Sequence, residues 1–245
     1  MKKLLAVLLA AVVGLGLAQE QVTIGILSPL TGGAAGTGLA QRAGFELALA
    51  EINAAGGVLG QPLRIIIEDD RADPATSVAA FEKLMTEDGV EFIGGGFASG
   101  ATLALVESFR TFQPIVSWIG GASSGIGNDD FEGIEELLGE EEWFFHVHPW
   151  DYQNVEATFG FIEDLGVGSV ALLHEDGAFG TPGAAGLEAG VEQMGIPVVL
   201  REAFTSTLTG GTGDFRATLS KVGAANPDML YWIGYDSDAQ PLSSQ

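Results

Sequence analysis

Two stretches of the chain gather small and hydroxylated residues where a strand gives way to a helix or turn: Gly94-Gly-Gly-Phe-Ala-Ser-Gly-Ala-Thr102 and Ser117-Trp-Ile-Gly-Gly-Ala-Ser-Ser124. Small residues let a ligand reach the backbone, and hydroxyls supply hydrogen bonds. The free N–H groups of a helix's first turn attract a carboxylate. Ser99 is therefore either part of a carboxylate site or the cap of its helix, and residue types alone leave both readings open. His146 and His148, two apart on a β-like run, point to one face and suit a shared metal ion if a third ligand joins them. Solvated or packing histidines are the simpler account, and no metal is expected.

Other chemistries lack their residues. The loop Thr31-Gly-Gly-Ala-Ala-Gly-Thr-Gly38 has no Lys-Ser/Thr to complete a phosphate loop, and Gln41 stands where a dinucleotide fingerprint needs glycine. No G-x-S-x-G elbow and no cysteine is present, so no nucleophile–base pair is visible and no enzymatic activity is expected. No cofactor is expected either.

The elements that position the hydroxyl-rich loops follow a repeating order. Val22–Leu27, Leu63–Ile67, Phe92-Ile93 and Ile115–Ile119 read as strands. They alternate with helices carrying Phe45/Ala48/Leu49/Ile52, Val78/Phe81/Met85 and Leu105/Phe109/Phe112 on one face. Asp73-Pro74 reads as a helix cap and first turn. Residues 120–142 break the rhythm, Trp143–His148 is β-like, and βα units then resume through the strand Met229–Ile233. Sequential βα units force parallel pairing with right-handed crossovers. The pattern predicts an α/β protein of two lobes, with the first crossing at His148–Asp151; one larger sheet is the alternative.

Lys2-Lys3, the apolar run Leu4–Leu17 and the small residues before Gln19 predict a secretory signal peptide over residues 1–18. The run is shorter than the roughly 20 apolar residues of a membrane span. Without cysteine the chain carries no lipoprotein site and no disulfide. Removing the leader takes two of the ten basic residues and none of the 33 acidic ones, moving the formal charge from −23 to −25. Such a field repels nucleic acid and anionic lipid.

With these residues placed, the chain resembles the periplasmic binding proteins for branched-chain amino acids. The matching stretches are Ile24-Gly-Ile-Leu-Ser-Pro-Leu-Thr-Gly32, Glu51-Ile-Asn-Ala-Ala-Gly-Gly57, Ile66-Ile-Glu-Asp-Asp70, Leu173-His-Glu-Asp-Gly-Ala-Phe-Gly180 and Ile233-Gly-Tyr-Asp236. The resemblance implies a type I two-lobed fold, each lobe a mostly parallel sheet flanked by helices. The N-terminal lobe would span residues 19–148 and the C-terminal lobe 149–245. It implies a periplasmic or secreted solute-binding protein of an ABC importer, taking an amino acid or similar carboxylate and delivering it to a membrane permease. A ligand-sensing receptor domain of the same fold is the alternative.

By the same resemblance, Ser99 and Ser123 hold the ligand carboxylate and Gly121 offers a carbonyl to its ammonium. Thr37, Asp151, Phe179 and Tyr235 line the pocket. Trp118 and Trp150 either stack on a flat ligand or pack the lobes. Relatives continue past the Gly-Tyr-Asp stretch to complete both lobes and supply an acidic residue for the ammonium. The chain is accordingly expected to be C-terminally incomplete, with apolar surface left open and an edge free beside Met229–Ile233.

Overall fold

Eight parallel strands form two separate sheets in the computed structural model, which describes residues 21–124, 133–138 and 141–245. The expected signal peptide lies outside the described residues. Strands β1 (Val22–Ser28), β2 (Leu63–Asp69), β3 (Phe92–Gly95), β4 (Ile115–Trp118) and β5 (Phe144–His146) make a five-stranded sheet ordered β2-β1-β3-β4-β5. Strands β6 (Val170–Glu175), β7 (Val198–Phe204) and β8 (Met229–Ile233) make a three-stranded sheet ordered β7-β6-β8. One larger sheet is thereby excluded.

Helices α1 (Ala35–Ala54), α2 (Pro74–Thr86) and α3 (Ser99–Phe112) connect the first four strands, and the short α4 (Ile134–Leu138) falls inside the irregular stretch. Helix α5 (Asp151–Leu165) precedes β6. Helices α6 (Gly180–Gln193) and α7 (Arg216–Ala225) join the strands of the second sheet, and α8 (Asp236–Ser244) follows β8. Asp73 caps α2 as its residue type requires, accepting from the Thr76 N–H at 2.8 Å with Pro74 in the first turn.

Chain direction decides which sheet face each helix covers. The step β1→β2 runs opposite to the steps β2→β3 and β3→β4, so right-handed crossovers put α1 on one face and α2 with α3 on the other. The α2–α3 face holds the core: Leu27, Phe81, Leu84, Ile93, Leu105, Phe109, Val116 and Trp118 are all sealed there. Among the described residues helix α1 packs on β1 and β2, and the start of α8 meets it at Thr37. The α1 residues Phe45, Ala48, Leu49 and Ile52, expected inside, instead border a groove of about 260 Å³ with Ile24, Ile65, Phe92 and Ile115, and Ile52 is 38% exposed. The loop expected over 31–38 is also shorter, because α1 already begins at Ala35.

Candidate functional site

The first sheet has a switch point between β1 and β3, whose crossovers run to opposite sides, to β2 and to β4; in the second sheet β6 sends its crossover to β7 on one side and has β8, the last described strand, on the other. The loops leaving such a point diverge and open a crevice at the strands' carboxyl ends. The segment after β1 carries Thr37, and the one after β3 carries Phe97 and Ser99. After β6 comes Phe179, and after β8 come Tyr235 and Asp236. All six line one cavity of about 350 Å³, so the carboxyl ends of the two sheets face each other.

On the first wall, Ser99 opens α3 and is 2% exposed. The N-cap is Ala98, which has no side-chain acceptor, so Ser99 is not the cap of its helix. The first-turn N–H groups of α3 thus have no capping side chain, and the helix dipole favours an anion there. Beside this helix start, Gly120, Gly121 and Ala122 of the turn after β4 supply backbone to the cavity. Gly121 has φ +68°, and a side chain there would collide with Thr102 Oγ1 at 2.5 Å.

The second wall is aromatic and is set by two buried carboxylates. Glu175, 1% exposed at the end of β6, accepts from the backbone N–H groups of Gly177 (2.6 Å), Phe179 (2.9 Å) and Gly180 (2.6 Å). This fixes the start of α6 and aims Phe179. Asp238, fully buried in the first turn of α8, accepts from the Ser206 hydroxyl at 2.6 Å and from the Thr207 N–H at 2.7 Å. It thereby ties Tyr235 to the segment carrying Leu208. Tyr235 meets Phe97 at 5.6 Å and Phe179 at 5.5 Å between ring centroids. Burial, with the charge of Glu175 adding to it, pushes the phenol far above its ordinary pKa.

The walls touch directly. The Thr37 hydroxyl donates to Asp236 Oδ2 at 2.5 Å, and Leu208 packs against the buried cluster of Ala34, Ala72 and Ala98. Among the residues named from sequence, Thr37, Ser99, Gly121, Phe179 and Tyr235 therefore meet at one cavity. Phe97, His148 and Asp236 also line it, though none was named as a pocket residue from sequence and His148 was weighed only as a metal ligand and in the crossing. Asp236 closes the Ile233-Gly-Tyr-Asp236 stretch, so its signal was in view; Phe97 was hidden among glycines and alanines.

Four other named residues lie off the cavity. Trp118 is 1% exposed, because the two-residue alternation of β4 turns Val116 and Trp118 toward α2 and α3. Its ring meets Phe109 edge-on at 5.2 Å and its indole N–H donates to Thr102 Oγ1 at 3.0 Å. Ser123 is fully buried behind the turn, where its hydroxyl has no partner among the described residues. Asp151, 4% exposed, braces that turn: its Oδ1 accepts from the Ser124 N–H (3.1 Å), the Tyr152 N–H (2.8 Å) and the Ser124 hydroxyl. Burial holds the Asp151 carboxyl above the usual range. Trp150 stacks on His146 at 3.7 Å rather than on the cavity. His146 gives its Nε2 to the Gly120 carbonyl, and among the described residues no group of three acidic or histidine side chains could hold a metal ion.

Comparison with known proteins gives the chain a family and a fold. The chain is 28% identical to an amino acid binding protein of Pseudomonas aeruginosa over all of its length and 62% of that relative. It is 28% identical to the leucine-, isoleucine-, valine-, threonine- and alanine-binding protein of the same organism, covering 98% of the chain and 61% of the relative. The chain thus spans under two thirds of the length of these relatives. The fold superposes, at a TM-score of 0.75 and 22% identity, on the branched-chain amino acid transporter substrate binding protein LivJ from Streptococcus pneumoniae in complex with isoleucine. That match covers 91% of this chain and 60% of the other. A solute binding protein from R. palustris in complex with 4-hydroxybenzoate superposes at a TM-score of 0.75 and 16% identity, over 90% and 55% of the two chains. Residues 21–245 match the periplasmic binding protein family, and the chain belongs to it.

Proposed function

We propose that the chain is the extracytoplasmic solute-binding component of an ABC-type importer, exported by its residues 1–18. In this reading residues 19–148 and 149–245 form two lobes that close over an amino acid or similar small carboxylate and present it to a membrane permease. The observation that carries the reading is that segments leaving the carboxyl ends of both sheets line one cavity, with the uncapped start of α3 on its wall.

The ligand carboxylate takes the first-turn N–H groups and the Ser99 hydroxyl. An ammonium group is met by the Gly121 carbonyl and by the charge of Asp236, while Phe97, Phe179 and Tyr235 cover the apolar part. Thr37 and Asp236 join the lobes over the ligand. Closure gives the open and closed states different affinities, which lets a partner that opens the lobes release the solute.

The test is calorimetric titration with leucine, isoleucine, valine, benzoate and 4-hydroxybenzoate, repeated on Ser99→Ala. Removing a hydroxyl bonded to a charge is expected to weaken binding by about 1.5–3 kcal/mol, with stability nearly unchanged because Ala98 is the cap. Equal affinity in the variant would overturn the assignment.

A further inference from the structure

The cavity-facing turn after β4 has two adjacent glycines, and packing reserves both positions for glycine. A side chain at Gly120 would lie 2.4 Å from the Phe97 backbone nitrogen, and one at Gly121 would lie 2.5 Å from Thr102 Oγ1. A peptide unit between two glycines has no side chain on either flank to hinder its rotation, so hydrogen bonds must select its orientation. Both of its ends are held. The Gly121 N–H donates to the Phe97 carbonyl at 2.9 Å, and the Gly120 carbonyl lies 2.9 Å from His146 Nε2.

We propose that His146 is a positioning residue for the ligand-facing turn, fixing the Gly120–Gly121 peptide by donating from Nε2 to the Gly120 carbonyl. A carbonyl only accepts, so the proton sits on Nε2 and Nδ1 is the bare nitrogen. Nδ1 is buried and has no partner among the described residues. The ring cannot swing away easily. It is stacked on Trp150 at 3.7 Å and 10° on one side, and lies near-parallel to Phe144 at 6.4 Å. His146 ends β5, so one side chain links the last strand of the first sheet, the crossing segment and the cavity wall. A histidine that only filled space would use its ring faces; this one also directs its single donor at the peptide of this turn that has no side chain on either flank.

The two roles give opposite orders for two variants. His146→Phe keeps the stacked ring and loses the donor; His146→Gln keeps a donor of similar reach and loses the ring. Hydrogen exchange of the Gly121 amide, followed by nuclear magnetic resonance without ligand, reads the turn directly. In the phenylalanine variant exchange is expected to quicken roughly tenfold, the worth of one hydrogen bond. Glutamine is expected to restore most of the protection. Protection kept by phenylalanine and lost by glutamine, or changed equally by both, would overturn the inference. Should either variant fail to fold, the imidazole nitrogen shifts of the unmodified chain decide: the Nε2–H tautomer is required, and an Nδ1–H tautomer refutes it. The consequence for binding rests on the proposed function: for whichever titrated acid binds, affinity falls in the phenylalanine variant and recovers in the glutamine one. Failure of every acid to bind would count against that function and leave the exchange result to judge the turn.

Discussion

Asp70 is a carboxylate held where charge is costly, and replacing it by asparagine should stabilise the chain above neutral pH. The side chain is 1% exposed at the end of β2, and its Oδ1 accepts from the Ala72 N–H at 3.0 Å. Desolvation pushes its pKa up from 3.8 to about 6; the Ala72 hydrogen bond opposes this and the neighbouring Asp69 charge adds to it. At about 1.36 kcal/mol per pKa unit, keeping it ionised at pH 8 costs the native state about 3 kcal/mol. Because the folded pKa is raised, its stabilising contribution is complete below 3.8 and is lost as pH rises through about 6. An asparagine at this position would keep an acceptor for the Ala72 N–H and carry no charge. Asp70→Asn is therefore expected to gain about 1–3 kcal/mol over the parent at pH 8, and to lose that advantage by about pH 4. Urea unfolding of both proteins at several pH values measures this. A variant less stable at pH 8, or a difference that does not change with pH, would refute the reasoning. The site matters to the cleft, because Arg71 and Ala72 hold left-handed backbone (φ +55° and +53°) and Ala72 packs in the cluster that receives Leu208.

Thr37→Val removes a hydroxyl that bonds Asp236 across the cleft, so ligand affinity is expected to fall about three- to tenfold with little change in the unfolding midpoint; unchanged affinity in titration would discard the latch. His174, 5% exposed, has its pKa pushed down by burial and by the nearby Arg201 charge. The native state then favours neutral imidazole, and its stabilising share is lost as pH falls below the unfolded value of about 6.5. His174→Gln should flatten the stability-versus-pH curve in that window, and a curve of unchanged slope would argue against it.

The strand-and-helix order was legible because the apolar runs and their glycine punctuation carry period and length, as in Val22–Ser28 followed by α1. Asp73-Pro74 gave its helix start outright. Ser99 was placed by residue type, but its status as a first-turn residue rather than a cap depends on Ala98 taking the cap position, which no local preference favours. Trp118 stayed open between ligand and core because which way a strand residue faces depends on which sheet face the next helix covers, and that follows from strand order. The same long-range choice left the apolar face of α1 half open. Ser123 and Asp151 sit one layer behind the cavity for a related reason: their turn is tied to Phe97 and to the start of α5 by bonds between residues distant in sequence. His146 read as a metal candidate from its spacing, and only its 2.9 Å approach to the Gly120 carbonyl revealed another use.

The most direct test of the central claim is a crystal structure of the chain grown with leucine or 4-hydroxybenzoate. The ligand is expected in the cleft between the two sheets, with a carboxylate oxygen about 3 Å from the Ser99 N–H and hydroxyl and the rings of Phe97, Phe179 and Tyr235 around its body. A ligand seated in the groove beside α1, or in the cleft with its carboxylate turned away from the start of α3, would contradict it.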